Sequence, residues 1–203
     1  MLEIVLASQS PRRRELLHQA GLEFRVFPIK VSEIIDENLT PEEVVSQLGT
    51  RKARACIEQH KELKQQGFLV LGADTVVVLG ENILGKPANY SQACDYLRSL
   101  SGKTHRVMTG FSLLETGSSK LWSGVEETQV QFRELSEREI LDYVATGEPM
   151  DKAGAYAIQG GAGKFVSSFS GSWSNVVGLP LERLEKALKE NAWNVRRCTP
   201  TKS

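Results

Sequence analysis

The chain is short of cysteine: Cys56, Cys94 and Cys198 are the only three among 203 residues, and no CxxC pair occurs. An odd, widely spaced set supports neither a disulfide framework nor a zinc knuckle, and it suits a reducing compartment. An excess of one charge is also missing, because 25 Lys and Arg balance 25 Asp and Glu. Without a uniform basic field, non-specific binding of nucleic acid is not expected, and any affinity for an anion must come from local clustering. No apolar run approaches the ~18 residues of a membrane span. Glu3 stands where a signal peptide would need a basic start and an apolar core. A cytoplasmic protein is expected. His18, His60 and His105 are scattered without ligand spacing, which argues against a histidine-built zinc site.

What is present is ordinary globular material, 40% hydrophobic and 25% charged, enough for one large domain or two small lobes. Glu3–Ala7 reads as a buried strand, followed by a helix with Ser10 as N-cap and Pro11 at its first position. A second strand covers Phe24–Pro28. Thr40-Pro41-Glu42-Glu43 is a capping box opening a helix to about His60, and Ser136-Glu137-Arg138-Glu139 opens another to about Ala145. Phe68–Leu79 carries the strongest strand signal, a nearly continuous apolar run interrupted by Asp74. Ser91–Leu100 reads as a helix, and Thr104–Leu114 with Lys120–Phe132 as a long hairpin. Short strands are expected near Ala155–Ile158 and Lys164–Phe169, and a last helix over Leu181–Lys189. Helices alternating with strands and hairpins predict an α/β fold with a mixed sheet. The domain is expected to span residues 1–195, with 196–203 a disordered tail.

Arg12, Arg13 and Arg14 occupy a first helical turn, where the macrodipole disfavours each cation by roughly 0.3–1 kcal/mol. A bound phosphate would relieve that repulsion, held by helix-start N–H groups, the Ser8 and Ser10 hydroxyls and guanidinium forks. A solvated basic turn is the plainer alternative. Asp74 inside an apolar strand is costly unless a metal, a cation or hydrogen bonds compensate it, so it is either a site residue or a strand-end cap. Glu33, Asp36 and Asp151 stand in loop-like contexts, Glu33 and Asp151 being the better oxygen ligands for a hard cation. Lys52, Lys86 and Lys152 add point charges. Ile158 through Lys164 is glycine-rich but fails the Walker pattern, since Ile158 and Phe165 stand where Gly and Ser or Thr are required. Its glycines suit either a tight turn beside a ligand or simple flexibility.

Together these segments resemble the Maf family of nucleoside triphosphate pyrophosphatases. The resemblance rests on Ser8-x-Ser10-Pro11-Arg12-Arg13, Gly72-Ala73-Asp74-Thr75, Gly85-Lys86-Pro87, Leu100-Ser101-Gly102 with His105, Gly147 through Tyr156, Ile158-Gln159-Gly160 and Asn175 through Leu181. It runs from about Ile4 to Leu188, and Asp151-Lys152-Ala153-Gly154-Ala155-Tyr156 with Ile158-Gln159-Gly160 is similar to the branch acting on dTTP and UTP.

The resemblance implies two lobes around a deep cleft, similar to the inosine triphosphatases, and metal-dependent release of pyrophosphate with Mg²⁺ or Mn²⁺. It assigns Asp74 as proton acceptor and aligns Arg12, Arg13, Lys52 and Lys86 with the family's cationic positions. Ser8 would hold a phosphate, Glu33 and Asp74 the metal, and Arg12, Thr75 and Gln159 the base. The expected partner is a small-molecule nucleotide, with no nucleic acid and no membrane, and a homodimer stays open. The alternative is a nucleotide-sensing, division-regulating binding module without significant turnover. Asp74 speaks against it, because a binder gains nothing from a carboxylate beside an anionic phosphate chain.

Overall fold

Local capping sets where the helices begin. The computed structural model describes residues 1–32, 38–118 and 120–198. In chain order it contains β1 (Glu3–Leu6), α1 (Pro11–Gln19), β2 (Phe24–Val26), α2 (Pro41–Gln59), β3 (Phe68–Leu79), β4 (Asn82–Leu84), α3 (Tyr90–Leu100), β5 (Thr104–Glu115), β6 (Leu121–Phe132), α4 (Glu137–Ala145), β7 (Val166–Ser170), α5 (Trp173–Val177) and α6 (Leu181–Glu190). Both expected capping boxes form. Thr40 Oγ1 accepts from the Glu43 N–H at 3.3 Å while the Thr40 N–H donates to Glu43 Oε2 at 2.8 Å, and Ser136 with Glu139 repeats the exchange.

The seven strands form one mixed sheet in the order β2-β1-β3-β5-β6-β7, with β4 beside β3. β1 is parallel to both β2 and β3, whereas β4 runs antiparallel to β3 and β7 antiparallel to β6. No helix among the described residues is long and apolar enough to cross a membrane.

The chain divides into two compact units. The first comprises the described residues of Met1–Asp74, Thr109–Glu126 and Gly178–Ser203, and the second Thr75–Met108 with Glu127–Val177. In the first, Val5, Ala7, Ala53, Cys56, Leu63, Val70 and Leu114 pack into a common core. α2 meets the strands at backbone contact. A Cβ added at Gly72 of β3 would stand 2.3 Å from the Gly49 carbonyl oxygen and 2.6 Å from the Ala53 nitrogen, and one at Gly110 of β5 would stand 2.3 Å from the Val45 carbonyl oxygen. In the second unit, Leu97, Val107, Phe132, Ile140, Tyr143 and Phe165 belong to a separate apolar cluster.

Three expectations change. The strand near Ala155–Ile158 is absent: Gly154 and Ala155 adopt φ of +65° and +57°, which break a ladder, inside consecutive 3₁₀ turns. The following strand begins only at Val166, because Gly161–Phe165 is itself a 3₁₀ turn. The tail holds order further than expected. The Arg196 N–H donates to the Leu2 carbonyl at 3.0 Å and the Cys198 N–H to the Gly21 carbonyl at 2.9 Å, and Arg197 grips Glu185 with both terminal nitrogens. Residues 199–203 lie outside the described residues.

Substituting Gly72 by Ala is expected to cost about 1–3 kcal/mol in urea denaturation, since neither the helix nor the strand backbone can yield cheaply. Gly85→Ala serves as the control, as its added Cβ would meet nothing within 4 Å, and it should stay within about 0.5 kcal/mol of the parent. Equal stabilities for the two variants would contradict the close-packing account.

A second expectation concerns pH. His105 is buried, its Nε2 lies 2.8 Å from Tyr156 Oη, and burial pushes its pKa down to about 4. The unfolded chain therefore takes up this proton near pH 6.5, before the folded one does, so the contribution is complete above that pH and falls away as pH drops toward 4. The slope approaches ~1.4 kcal/mol per pH unit. Denaturant titrations from pH 7 to 4.5 should show this component in the parent and lose it in His105→Gln. The same slope in both would contradict it.

Candidate active site

The N-terminal end of α1 is built around Ser8, which follows β1 and is buried. Ser8 Oγ accepts from the Ser10 N–H and from Arg13 Nη1, each at 3.2 Å. Ser10, the N-cap, accepts from the Arg13 N–H at 3.4 Å. Arg13 Nε donates to the Gly178 carbonyl at 2.8 Å, and Gly178 has φ of +128°, a backbone state that side chains disfavour. The Arg13 fork is thus bent back over the helix start and oriented by two independent acceptors. Arg12 beside it is half-buried, whereas Arg14 is exposed and reaches the Gln9 carbonyl. The first turn carries no acidic residue, so the helix dipole and two guanidinium groups sum to a concentrated positive field.

Lys52 and Asp74 form an ion pair between α2 and β3, with the Lys52 ammonium on Asp74 Oδ1. Only 12% of the Lys52 side chain and 15% of the Asp74 side chain are exposed, so the attraction is screened far less than at the surface. The local cause is legible. Alternate strand residues share a face, so Asp74 lies on the face of Gly72, where the absent side chain admits α2. Lys52 directly precedes Ala53, which with Gly49 lines that opening.

The second unit carries the remaining expected residues. Thr75 follows Asp74 on β3 and is half-buried. Lys86 is exposed between β4 and α3, next to buried Pro87, and Gly85 before it accepts from the Gly154 N–H at 3.0 Å. Gln159 is exposed on a turn. Asp151 is engaged by Lys152, whose ammonium also donates to the Glu148 carbonyl at 3.1 Å. Glu33 and Asp36 lie outside the described residues. Among the described residues no group of three or more His, Cys, Asp or Glu side chains assembles into a metal cage. Cys56 is buried, and burial, with a smaller contribution from Glu62, pushes its thiol up to about 12.

Three residues around these groups make contacts that sequence reasoning does not predict. The Gly178 carbonyl orients Arg13, and a main-chain acceptor leaves no signal beyond the glycine that its φ requires. Glu148 and Tyr143 tie down the turn that carries Gln159, with only the unexplained Gly160 to betray them.

Comparison with known proteins gives the family of the chain. A dTTP/UTP pyrophosphatase of Pelotomaculum thermopropionicum is 50% identical over 195 residues, covering 96% of this chain and all of that one. One from Geobacillus is 47% identical over 193 residues, with coverage of 95% and 100%, and one from Bdellovibrio bacteriovorus 46% over 187 residues, with coverage of 92% and 97%. Among solved structures, the Staphylococcus aureus Ham1 protein overlaps 64% of this chain and 71% of its own at a TM-score of 0.38 and 14% identity. The family model described as Maf-like protein matches residues 3–191, and with relatives this similar along their whole length the chain belongs to the Maf family.

Proposed function

We propose that this protein hydrolyses UTP and dTTP at the α-phosphorus, releasing the monophosphate and pyrophosphate. The observation that carries the reading is the Lys52–Asp74 pair: a carboxylate set into an apolar strand and held by an ammonium at low exposure. A protein that merely stored an anionic nucleotide would be weakened by such a group, whereas hydrolysis needs an acceptor for the proton of the attacking water. The relatives named as dTTP/UTP pyrophosphatases support the substrate.

In this reading the water oxygen forms a bond to the α-phosphorus as the bridging oxygen to the β-phosphorus departs with pyrophosphate, and the water proton passes to Asp74. Charge builds on the leaving oxygens, so the rate rests on positioning and electrostatics. Ser8, Arg12, Arg13 and the helix start hold phosphate oxygens, Arg13 through a fork that Ser8 and Gly178 have already oriented. Lys52 steadies Asp74, and Lys86 adds positive charge to the polyphosphate. Gln159 addresses the base, its amide offering a donor and an acceptor to the N3–H and carbonyl groups of uracil or thymine, with Thr75 and Arg12 supplying further contacts. Cytosine reverses part of that pattern. A mismatched amide costs ~1–3 kcal/mol, about 5- to 150-fold in discrimination.

A divalent ion that travels with its nucleotide belongs to the same reading. Mg²⁺ is commonly held by one or two carboxylates together with substrate phosphates rather than by an all-protein cage, and Asp74 offers one carboxylate, with Glu33 as the second proposed ligand. Held there, Mg²⁺ or Mn²⁺ would supply positive charge to the phosphate oxygens. A cytoplasmic location belongs to the same reading, resting on sparse, unpaired cysteines.

Pyrophosphate release from UTP, dTTP, CTP and GTP, with Mg²⁺ present, tests it. UTP and dTTP should exceed CTP by about 5- to 150-fold in kcat/KM. Asp74→Asn should lower kcat roughly 10²- to 10⁴-fold with little change in KM. An Asp74→Asn protein within about threefold of the parent, or CTP turned over as well as UTP, would overturn the assignment.

A further inference from the structure

We infer that Tyr143 and Glu148 are positioning residues for base selectivity, forming a clamp that fixes the turn on which Gln159 stands. Tyr143, buried near the C-terminal end of α4, donates through Oη to Glu148 Oε1 at 2.8 Å. The same Oη accepts from the Ala157 N–H at 3.3 Å. Glu148 Oε2 accepts from the Gly161 N–H at 3.2 Å. The two N–H groups held in this way lie two residues before and two residues after Gln159, so one connected system grips both ends of its turn. The Gly160 N–H closes the turn on the Ala157 carbonyl at 3.1 Å.

The clamp is itself anchored. The Tyr143 ring meets Phe165 edge-on at 5.3 Å between centroids, and the Lys152 ammonium donates to the Glu148 carbonyl at 3.1 Å. Gly160 supplies an independent sign that the carboxylate has a built seat. Its φ of −107° is open to any residue, yet a Cβ there would stand 2.1 Å from Glu148 Oε1 and 2.6 Å from its Cδ. A side chain there would have to push the carboxylate off its bonds to Tyr143 and Gly161. An exposed side chain discriminates between bases only as sharply as its backbone is held, and the charge-assisted bond at Glu148 is stronger than a neutral one. The inference rests on the proposal that Gln159 addresses the base.

Steady-state kinetics with UTP and CTP test it on Tyr143→Phe, Glu148→Gln, Gly160→Ala and Gln159→Ala. Tyr143→Phe deletes the hydroxyl that joins both arms, Glu148→Gln leaves only one oxygen for two donors, and Gly160→Ala displaces the carboxylate with both clamp residues intact. Each should lower the UTP:CTP ratio of kcat/KM about three- to tenfold, through a higher KM for UTP, with kcat near the parent value. Combining Tyr143→Phe with Gln159→Ala should cost no more selectivity than Gln159→Ala alone. If Gln159→Ala collapses the ratio while the other three preserve it, the clamp is refuted and the Gln159 reading stands. If Gln159→Ala leaves the ratio unchanged, that reading fails and the inference falls with it. An equal loss for UTP and CTP in the clamp variants would mark a purely structural role and would also refute the clamp.

Discussion

A missing side chain governs the first unit. Because Gly72 has no Cβ, the backbone of α2 comes within contact of β3, a distance that alanine could not permit. Everything chemical on that face follows from the approach. Lys52 reaches Asp74 only because the helix lies so low, and the pair stays largely dry because the same close packing excludes water. Gly110 repeats the device against Val45 on β5, so the helix is seated on two strands and cannot simply tilt away. Tight backbone packing thereby becomes an electrostatic property of the site, since a charge pair gains strength as water is removed from around it.

The start of α1 works by a different balance. Guanidinium groups at a helix N-terminus oppose the dipole, and the chain places three in succession. Arg14 escapes into solvent, but Arg13 is drawn back by the Gly178 carbonyl and the Ser8 hydroxyl. Those bonds hold a positive group where the helix alone would repel it. In the proposed reading an incoming phosphate would discharge that repulsion, which would make a locally unfavourable sequence useful as a binding device.

How much of this could be read beforehand depends on the range of the interaction responsible. Thr40 and Ser136 announce their helices because a capping box is complete within four residues. Asp74 announces itself because one carboxylate in an apolar run contradicts its surroundings. The turn around Gln159 does not: Ala155–Ile158 has strand-like composition, and what breaks the strand is the positive φ of Gly154 and Ala155, at a place where a Cβ on Gly154 would run into Val77, distant in the sequence. Gly160 has the same history, its reason being Glu148 rather than flexibility. The segment after Arg196 reads as a polar tail, yet the backbone groups of Leu2 and Gly21 give it partners through Cys198. Local chemistry sets the ends of elements, while close approach between distant segments decides where glycine is indispensable.

The central claim is that Lys52 and Asp74 act as one device in which the ammonium holds the carboxylate for the attacking water. A double-mutant cycle on kcat for UTP, using Lys52→Met, Asp74→Asn and the combined variant, tests this most directly. The account predicts strong non-additivity, with the double variant within about threefold of Asp74→Asn alone, because the lysine has little left to do once its carboxylate is gone. A double variant whose loss equals the product of the two single losses would mean that the residues act independently, and would contradict the account.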